Sequence, residues 1–304
     1  MKKIIIFSIF ILLSTTVYSQ FYIGGNLGYS FGATPRVNGK EIKSNDGVLE
    51  TTNIYGSYGE GFSGGLKLGY FFSQRFGVEL NLGYLDGFEQ KKADVLIGID
   101  GLPVNNNTAV SSDAIAYSQI VRSTLSLVYK TNIGFYGRFG FYIPLGGKTT
   151  VEVEDNRIFG SEIPGVGEIP FQAETSYEME LKGEFSLGFS GAIGYYYAFE
   201  KGWSLFAEME YLGLAIKSGT AEYTKYNQSL SPHQIGILPG FPRVTTLEDL
   251  GDGKNIKYVD TVKSTDNYPG NPNFDQTKEV IDFKQSAPYD SFGINIGAIY
   301  RFGN

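Results

Sequence analysis

The stretch Phe21-Tyr22-Ile23-Gly24-Gly25-Asn26-Leu27-Gly28-Tyr29-Ser30-Phe31 decides the fold. Its odd positions carry Phe21, Ile23, Gly25, Leu27, Tyr29 and Phe31, and its even positions Tyr22, Gly24, Asn26, Gly28 and Ser30. Alternation of period two over this length specifies a β-strand, because a helix would place apolar residues at intervals of three and four. One face is large and apolar, the other small and polar. That division suits a wall with hydrocarbon outside and a narrow polar interior.

The same pattern returns over residues 62–72, 76–84, 117–129, 135–143, 185–195, 203–211 and 292–302, giving eight runs in all. The connections between them alternate in length. Short turns are expected around Ser73-Gln74-Arg75, Thr131-Asn132 and Glu200-Lys201-Gly202, and long connections over 32–61, 87–116, 146–183 and 217–290. Tight turns on one side and long loops on the other are the pattern of outer-membrane barrels. A soluble lipocalin-type barrel also alternates. It would have to turn the charged face outward, however, and its hairpins are not alternately tight and very long.

These runs predict an all-β fold: a transmembrane antiparallel up-and-down β-barrel of about eight strands, preceded by a cleaved signal peptide. Eight strands of roughly 10 residues use less than half of the 304 residues, so the loops must be large. Lys2 and Lys3 precede an apolar segment, 4–13, and Val17-Tyr18-Ser19 resembles a cleavage site. The expected division is a signal peptide over 1–19 and a barrel with long extracellular loops over 20–304. No later run of about 18 apolar residues occurs, which excludes a helical membrane protein but not a barrel. Within the long connections, 150–155 and 173–181 also alternate, and a protruding hairpin is expected there.

Composition narrows the functions. A net charge of −7 argues against nucleic acid as partner. With no cysteine there is neither a disulfide framework nor an acylated cysteine, and one histidine cannot build a multi-histidine metal site. Forty glycines with 22 tyrosines and 23 phenylalanines fit a narrow barrel, where small residues save space inside and aromatics face out.

The chain end Asn295-Ile296-Gly297-Ala298-Ile299-Tyr300-Arg301-Phe302 resembles the assembly signal of outer-membrane barrels, with Asn295, Gly297, Tyr300 and Phe302 at the matching positions. Gly303 and Asn304 follow, whereas many members end on the phenylalanine. Across 21–302 the chain resembles the small OmpA/OmpX-type barrel family, without a peptidoglycan-binding domain. The resemblance implies residence in the cell outer membrane and contact with its lipid and lipopolysaccharide. It also implies delivery by the barrel-assembly machinery.

Eight charged residues fall on the inward face: Lys67, Glu79, Arg122, Arg138, Glu184, Glu208, Glu210 and Arg301. A narrow lumen leaves them to pair with one another, as a static filling network or as the gate of a narrow pore. Tyr29, Tyr70, Tyr84, Tyr129, Tyr195, Trp203 and Tyr211 sit near strand ends on the apolar face, where membrane-interface girdles belong. His233 lies beside Ser229 and Ser231, but no third group is specified to orient it, so no catalytic residue is assigned. The segment 248–253 suggests a calcium loop, yet the EF-hand register puts Leu250 and Val259 at ligand positions, which leaves only a looser site of converging carboxylates and carbonyls as a minor alternative. Gly146-Gly147-Lys148-Thr149 imitates a phosphate loop with Tyr142 where the first glycine belongs, and reads instead as a turn. No cofactor or metal is expected, and the chain is expected to be monomeric.

The leading expectation is therefore a structural and surface-interaction protein acting through its extracellular loops. A low-conductance channel for small polar solutes is the alternative, and a lipid-modifying rim enzyme a remote one.

Overall fold

The computed structural model describes residues 20–33, 36–45, 48–98, 108–163, 167–199, 201–233 and 240–302. The expected signal peptide, Glu200 of the third expected turn, and the terminal Gly303-Asn304 lie outside them. The strands are β1 (Gln20–Gly32), β2 (Val37–Asn45), β3 (Val48–Tyr55), β4 (Gly61–Phe71), β5 (Phe76–Gly87) and β6 (Gln90–Gly98). Then come β7 (Thr108–Lys130), β8 (Phe135–Ile163), β9 (Gly167–Gly183), β10 (Gly188–Ala198), β11 (Trp203–Gly213) and β12 (Ala215–Pro232). The last are β13 (Arg243–Thr246), β14 (Asn255–Val259), β15 (Val280–Phe283), β16 (Ser286–Pro288) and β17 (Ser291–Arg301), with a 3-10 helix at Glu248–Lys254.

This corrects the expected count of about eight. The described residues form seventeen strands, because the long connections make strands of their own. Backbone donors and acceptors in an ordered connection need partners, and ladders supply them.

The alternating runs fall on β1, β4, β5, β7, β8, β10, β11 and β17. Each pairs antiparallel with two others: β1 with β4, then β4–β5, β5–β7, β7–β8, β8–β10, β10–β11, β11–β17 and β17 back to β1. The hydrogen-bonded order therefore returns to its start. Large apolar side chains face outward, Leu27 at 70% exposure and Ile193 at 68%, while Tyr22 and Lys67 opposite them are fully buried.

At one end the connections are tight. Ser73 Oγ accepts from the amides of Arg75 (3.3 Å) and Phe76 (2.9 Å), an arrangement that reverses the chain within a few residues. Gly134 (φ +96°) and Gly202 (φ +84°) occupy the left-handed region, where a side chain would be strained.

The other end is uneven. β7 and β8, 23 and 29 residues long, run on past the cycle. β8 pairs with β9 from Thr149↔Leu181 to Ile163↔Gly167, the protruding hairpin that the alternation predicts, and β12 pairs along the far edge of β9. Gly146-Gly147 does not turn the chain, contrary to expectation. Both residues stay within β8, beside a register shift opposite Val121/Arg122, with Gly147 at φ +142°. An added residue in one strand relieves the register without breaking it.

Candidate functional site

Two strands of the cycle supply each side of an ionic layer inside the wall. Lys67 (β4) and Glu79 (β5) project from one side, and Arg138 (β8), Glu208 and Glu210 (β11) from the other. Lys67 Nζ lies 3.2 Å from Glu79 Oε1 and 3.0 Å from Glu208 Oε1. Arg138 Nη2 reaches Glu208 Oε1 at 2.9 Å and Glu210 Oε1 at 2.6 Å, and its Nε lies 3.7 Å from Glu79 Oε1.

Neutral groups complete the layer. Tyr22 OH donates to Glu79 Oε2 and Tyr136 OH to Glu208 Oε2, both at 2.7 Å. Asn295 Nδ2 donates to Glu210 Oε2 at 3.0 Å, and Ser190 Oγ to Glu210 Oε1 at 3.0 Å. Desolvated charges persist only when paired and hydrogen-bonded in this way.

Three of the eight predicted inward charges stand apart from these contacts. Arg122 is buried but lies over the Tyr142 ring, 5.8 Å from its centroid. Arg301 lies over Tyr196, 5.1 Å from the centroid, nearer the tight-turn end. Glu184 is a correction. Its run begins at Gly188 rather than at 185, so Glu184 is off the wall, half-exposed and paired with Lys284 Nζ at 2.7 Å. The five remaining residues meet because the register sets Lys67 opposite Asn81, Glu208 opposite Asn295 and Ala192 opposite Arg138 at one level.

Apolar layers close the lumen on both sides of the charges. Toward the tight turns, Tyr22, Phe71, Val128, Tyr136, Tyr196, Phe206 and Ile299 pack together, with Tyr136 and Tyr196 stacked at 4.0 Å. Tyr22 and Tyr136 belong to both layers: their rings pack here and their hydroxyls reach the carboxylates. Toward the long connections, Tyr58, Ile120, Tyr142, Leu212, Leu214 and Tyr289 form a second plug. Residues 56–60 and 286–290 fold across the opening to build it. Tyr58 N donates to Pro288 O (3.0 Å), Ser57 Oγ to Asp290 O (2.7 Å), and Leu214 N to Asp290 Oδ1 (2.8 Å). Arg36 Nη2 holds the other Asp290 oxygen at 3.1 Å.

Sequence reasoning missed this second plug. Its halves are more than 200 residues apart, and neither alternates.

The girdle residues all lie on the outer face. Tyr70, Tyr129, Tyr195 and Trp203 are at the tight-turn end, and Tyr29, Tyr84 and Tyr211 toward the long connections. Of the assembly-signal residues, Asn295 points inward to the glutamates and Phe302 packs edge-on against Tyr300 at 5.0 Å. Gly297 is tightly confined: a Cβ there would strike Gly25 O and approach the Phe206 ring at 2.6 Å. His233 Nδ1 is 3.2 Å from Gln172 Oε1, and Asp249 caps Thr246 through its backbone amide at 2.7 Å. Among the described residues no group of three or more His, Asp or Glu side chains could hold a metal ion.

A ladder that returns to its start, apolar outside and ionic within, defines a β-barrel of the membrane type. The chain belongs to the outer membrane protein beta-barrel domain family, whose sequence profile matches residues 8–237. Solved structures similar to it are outer-membrane proteins. OprG from Pseudomonas aeruginosa is 15% identical, with 94% of this chain and 97% of that one covered and a TM-score of 0.37. CarO2 from Acinetobacter baumannii is 16% identical over 93% and 99%, at 0.31. A major outer membrane protein from Thermus thermophilus is 14% identical over 93% and 99%, also at 0.31. No curated protein matches the chain.

Proposed function

We propose that this protein is an outer-membrane anchor whose work is done by the structure built from its long connections. In this reading residues 1–19 direct export and are removed. The eight-strand cycle spans the membrane with its tight turns in the periplasm, and β2, β3, β6, β9 and β12–β16 stand outside. The aromatic positions at the two ends of the wall sit at the lipid interfaces, against lipid and lipopolysaccharide. The chain-end segment is read by the assembly machinery, and the protein acts without catalysis.

The observation that carries this reading is the interior. Lys67, Glu79, Arg138 and Glu208 have side chains 0–1% exposed, and an apolar layer lies on each side of them. An eight-stranded lumen filled by side chains leaves no water column for solutes. The buried charges of the wall also balance: Lys67, Arg122 and Arg138 against Glu79, Glu208 and Glu210, three of each sign, with Arg301 nearer the tight-turn mouth. A neutral, desolvated layer favours filling over ion selection.

Single-channel recording tests this directly. Refolded protein, verified by its heat-modifiable gel mobility, is expected to leave a planar bilayer silent. Discrete current steps that change in Arg138→Met or Glu208→Gln would overturn the anchor reading in favour of a gated pore.

A further inference from the structure

Above the outer plug the long connections enclose a cavity of about 410 Å³, within the size range of small-molecule sites. Its floor is the plug itself, Tyr58 and Tyr289, and its walls come from β2, β6, β8, β9, β12, β14 and β16. Met179, Leu181 and Ile216 make one side apolar.

The polar lining has one sign. Lys92, Lys182 and Lys217 all line the cavity, and no Asp or Glu does so among the described residues. None of the three lysines has a carboxylate within 4.0 Å among the described residues, although the chain carries a net charge of −7. Glu184, the nearest acid in sequence after Gly183, is paired with Lys284 instead.

Lys92 and Asn38 form the innermost polar pair. Lys92 Nζ donates to Asn38 Oδ1 at 2.5 Å and stands 4.8 Å over the Tyr58 ring. Asn38 is 8% exposed, and its Nδ2 is buried without a hydrogen-bond partner. An unpaired buried donor is destabilising unless something accepts from it. Burial also pushes the Lys92 amine down to about 8, and an anion beside it would oppose that shift by favouring the protonated form.

We propose that this cavity binds a small organic carboxylate with an apolar body. The carboxylate accepts from Lys92 Nζ and Asn38 Nδ2, the apolar body lies along Met179, Leu181 and Ile216, and Lys182 and Lys217 draw the anion in at the rim. A phosphate would satisfy the donors but leave the apolar wall unused. The proposal rests on the loop-side reading above and gives it a ligand class.

Calorimetry with the full chain in nanodiscs tests it, using 3-phenylpropionate, its neutral amide and inorganic phosphate as probes. The carboxylate is expected to bind at least tenfold more tightly than either of the others. Lys92→Met should weaken carboxylate binding at least tenfold and leave the amide unaffected. Should that variant fail to fold, Lys217→Gln at the exposed rim is expected to weaken it at least threefold. Equal affinity for the amide or phosphate, no carboxylate binding by folded protein, or wild-type binding by the variants would overturn the proposal. The two readings fail separately: a silent protein that ignores carboxylates loses only the cavity's ligand. A conducting one loses the anchor reading whether or not it binds.

Discussion

Glu208→Gln removes one negative charge from the centre of the lumen with almost no change in shape. Glu208 accepts from Lys67, Arg138, Tyr136 and, at 3.4 Å, Asn295. The amide that replaces it presents two hydrogens to a site built of donors. Breaking a buried ion pair by removing one partner costs about 3–5 kcal/mol. Here Lys67 retains Glu79 and Arg138 retains Glu210, so the lower end applies, about 3 kcal/mol, or on the order of a hundredfold in the folding equilibrium. Urea unfolding in lipid vesicles, followed by the emission of the single tryptophan, Trp203, measures it. Lys67→Met combined with Glu208→Gln should recover part of the loss, since it restores the balance of buried charge. A loss under about 1 kcal/mol, the size of an exposed pair, would refute the claim that these charges are desolvated.

Three further outcomes follow from particular contacts. Ser218 N donates to Gln285 O at 2.9 Å, and β12 and β16 are in register beside it. Replacing 219–284 by a two-residue Asn-Gly turn should therefore leave the heat-modifiable fold intact, and loss of the folded gel band would show that these connections hold the wall together. Gly297→Val drives a side chain into Gly25 O and Phe206 and is expected to cost about 1–3 kcal/mol. Refolding into lipid without assembly factors separates this strain from signal recognition, and wild-type refolding would sink the steric account. Lys92, held down at about 8 against 10.5 in the unfolded chain, makes the outer structure least stable below pH 8. That penalty should fade as pH rises from 8 through 10.5, because there the unfolded chain binds the extra proton. A lysine-methyl NMR titration should show a midpoint near 8, and one near 10.5 would contradict the burial.

The wall was legible in the sequence because period-two alternation records which face meets lipid, residue by residue. That rule places Lys67, Glu79, Arg138, Glu208 and Glu210 inward without any knowledge of their partners. It misplaces Glu184, since Phe185 and Leu187 continue the alternation after the wall has ended. Apart from the β8–β9 hairpin, the strands of the connections escaped notice for the opposite reason. In β3 nearly every residue is exposed, so no buried face stamps a pattern on Val48–Tyr55. The plug and the cavity above it depend on contacts such as Ser57 with Asp290 and Lys92 with Asn38. Neighbouring residues carry no trace of those contacts.

β8 enters the wall at Phe135 and parts from β10 at Tyr142↔Gly188, yet continues to Ile163, with β7 beside it as far as Val110↔Arg157. The part beyond β10 is roughly 70 Å of strand at about 3.3 Å per residue. Whatever grips its tip therefore pulls on a rod rooted in the barrel, not on a slack tether. Tension along that rod loads the β7–β8 and β9–β12 hydrogen bonds side by side, in shear, and many bonds must fail together before the hairpin yields. Such a projection is suited to transmitting force between whatever meets its tip and the barrel that holds it.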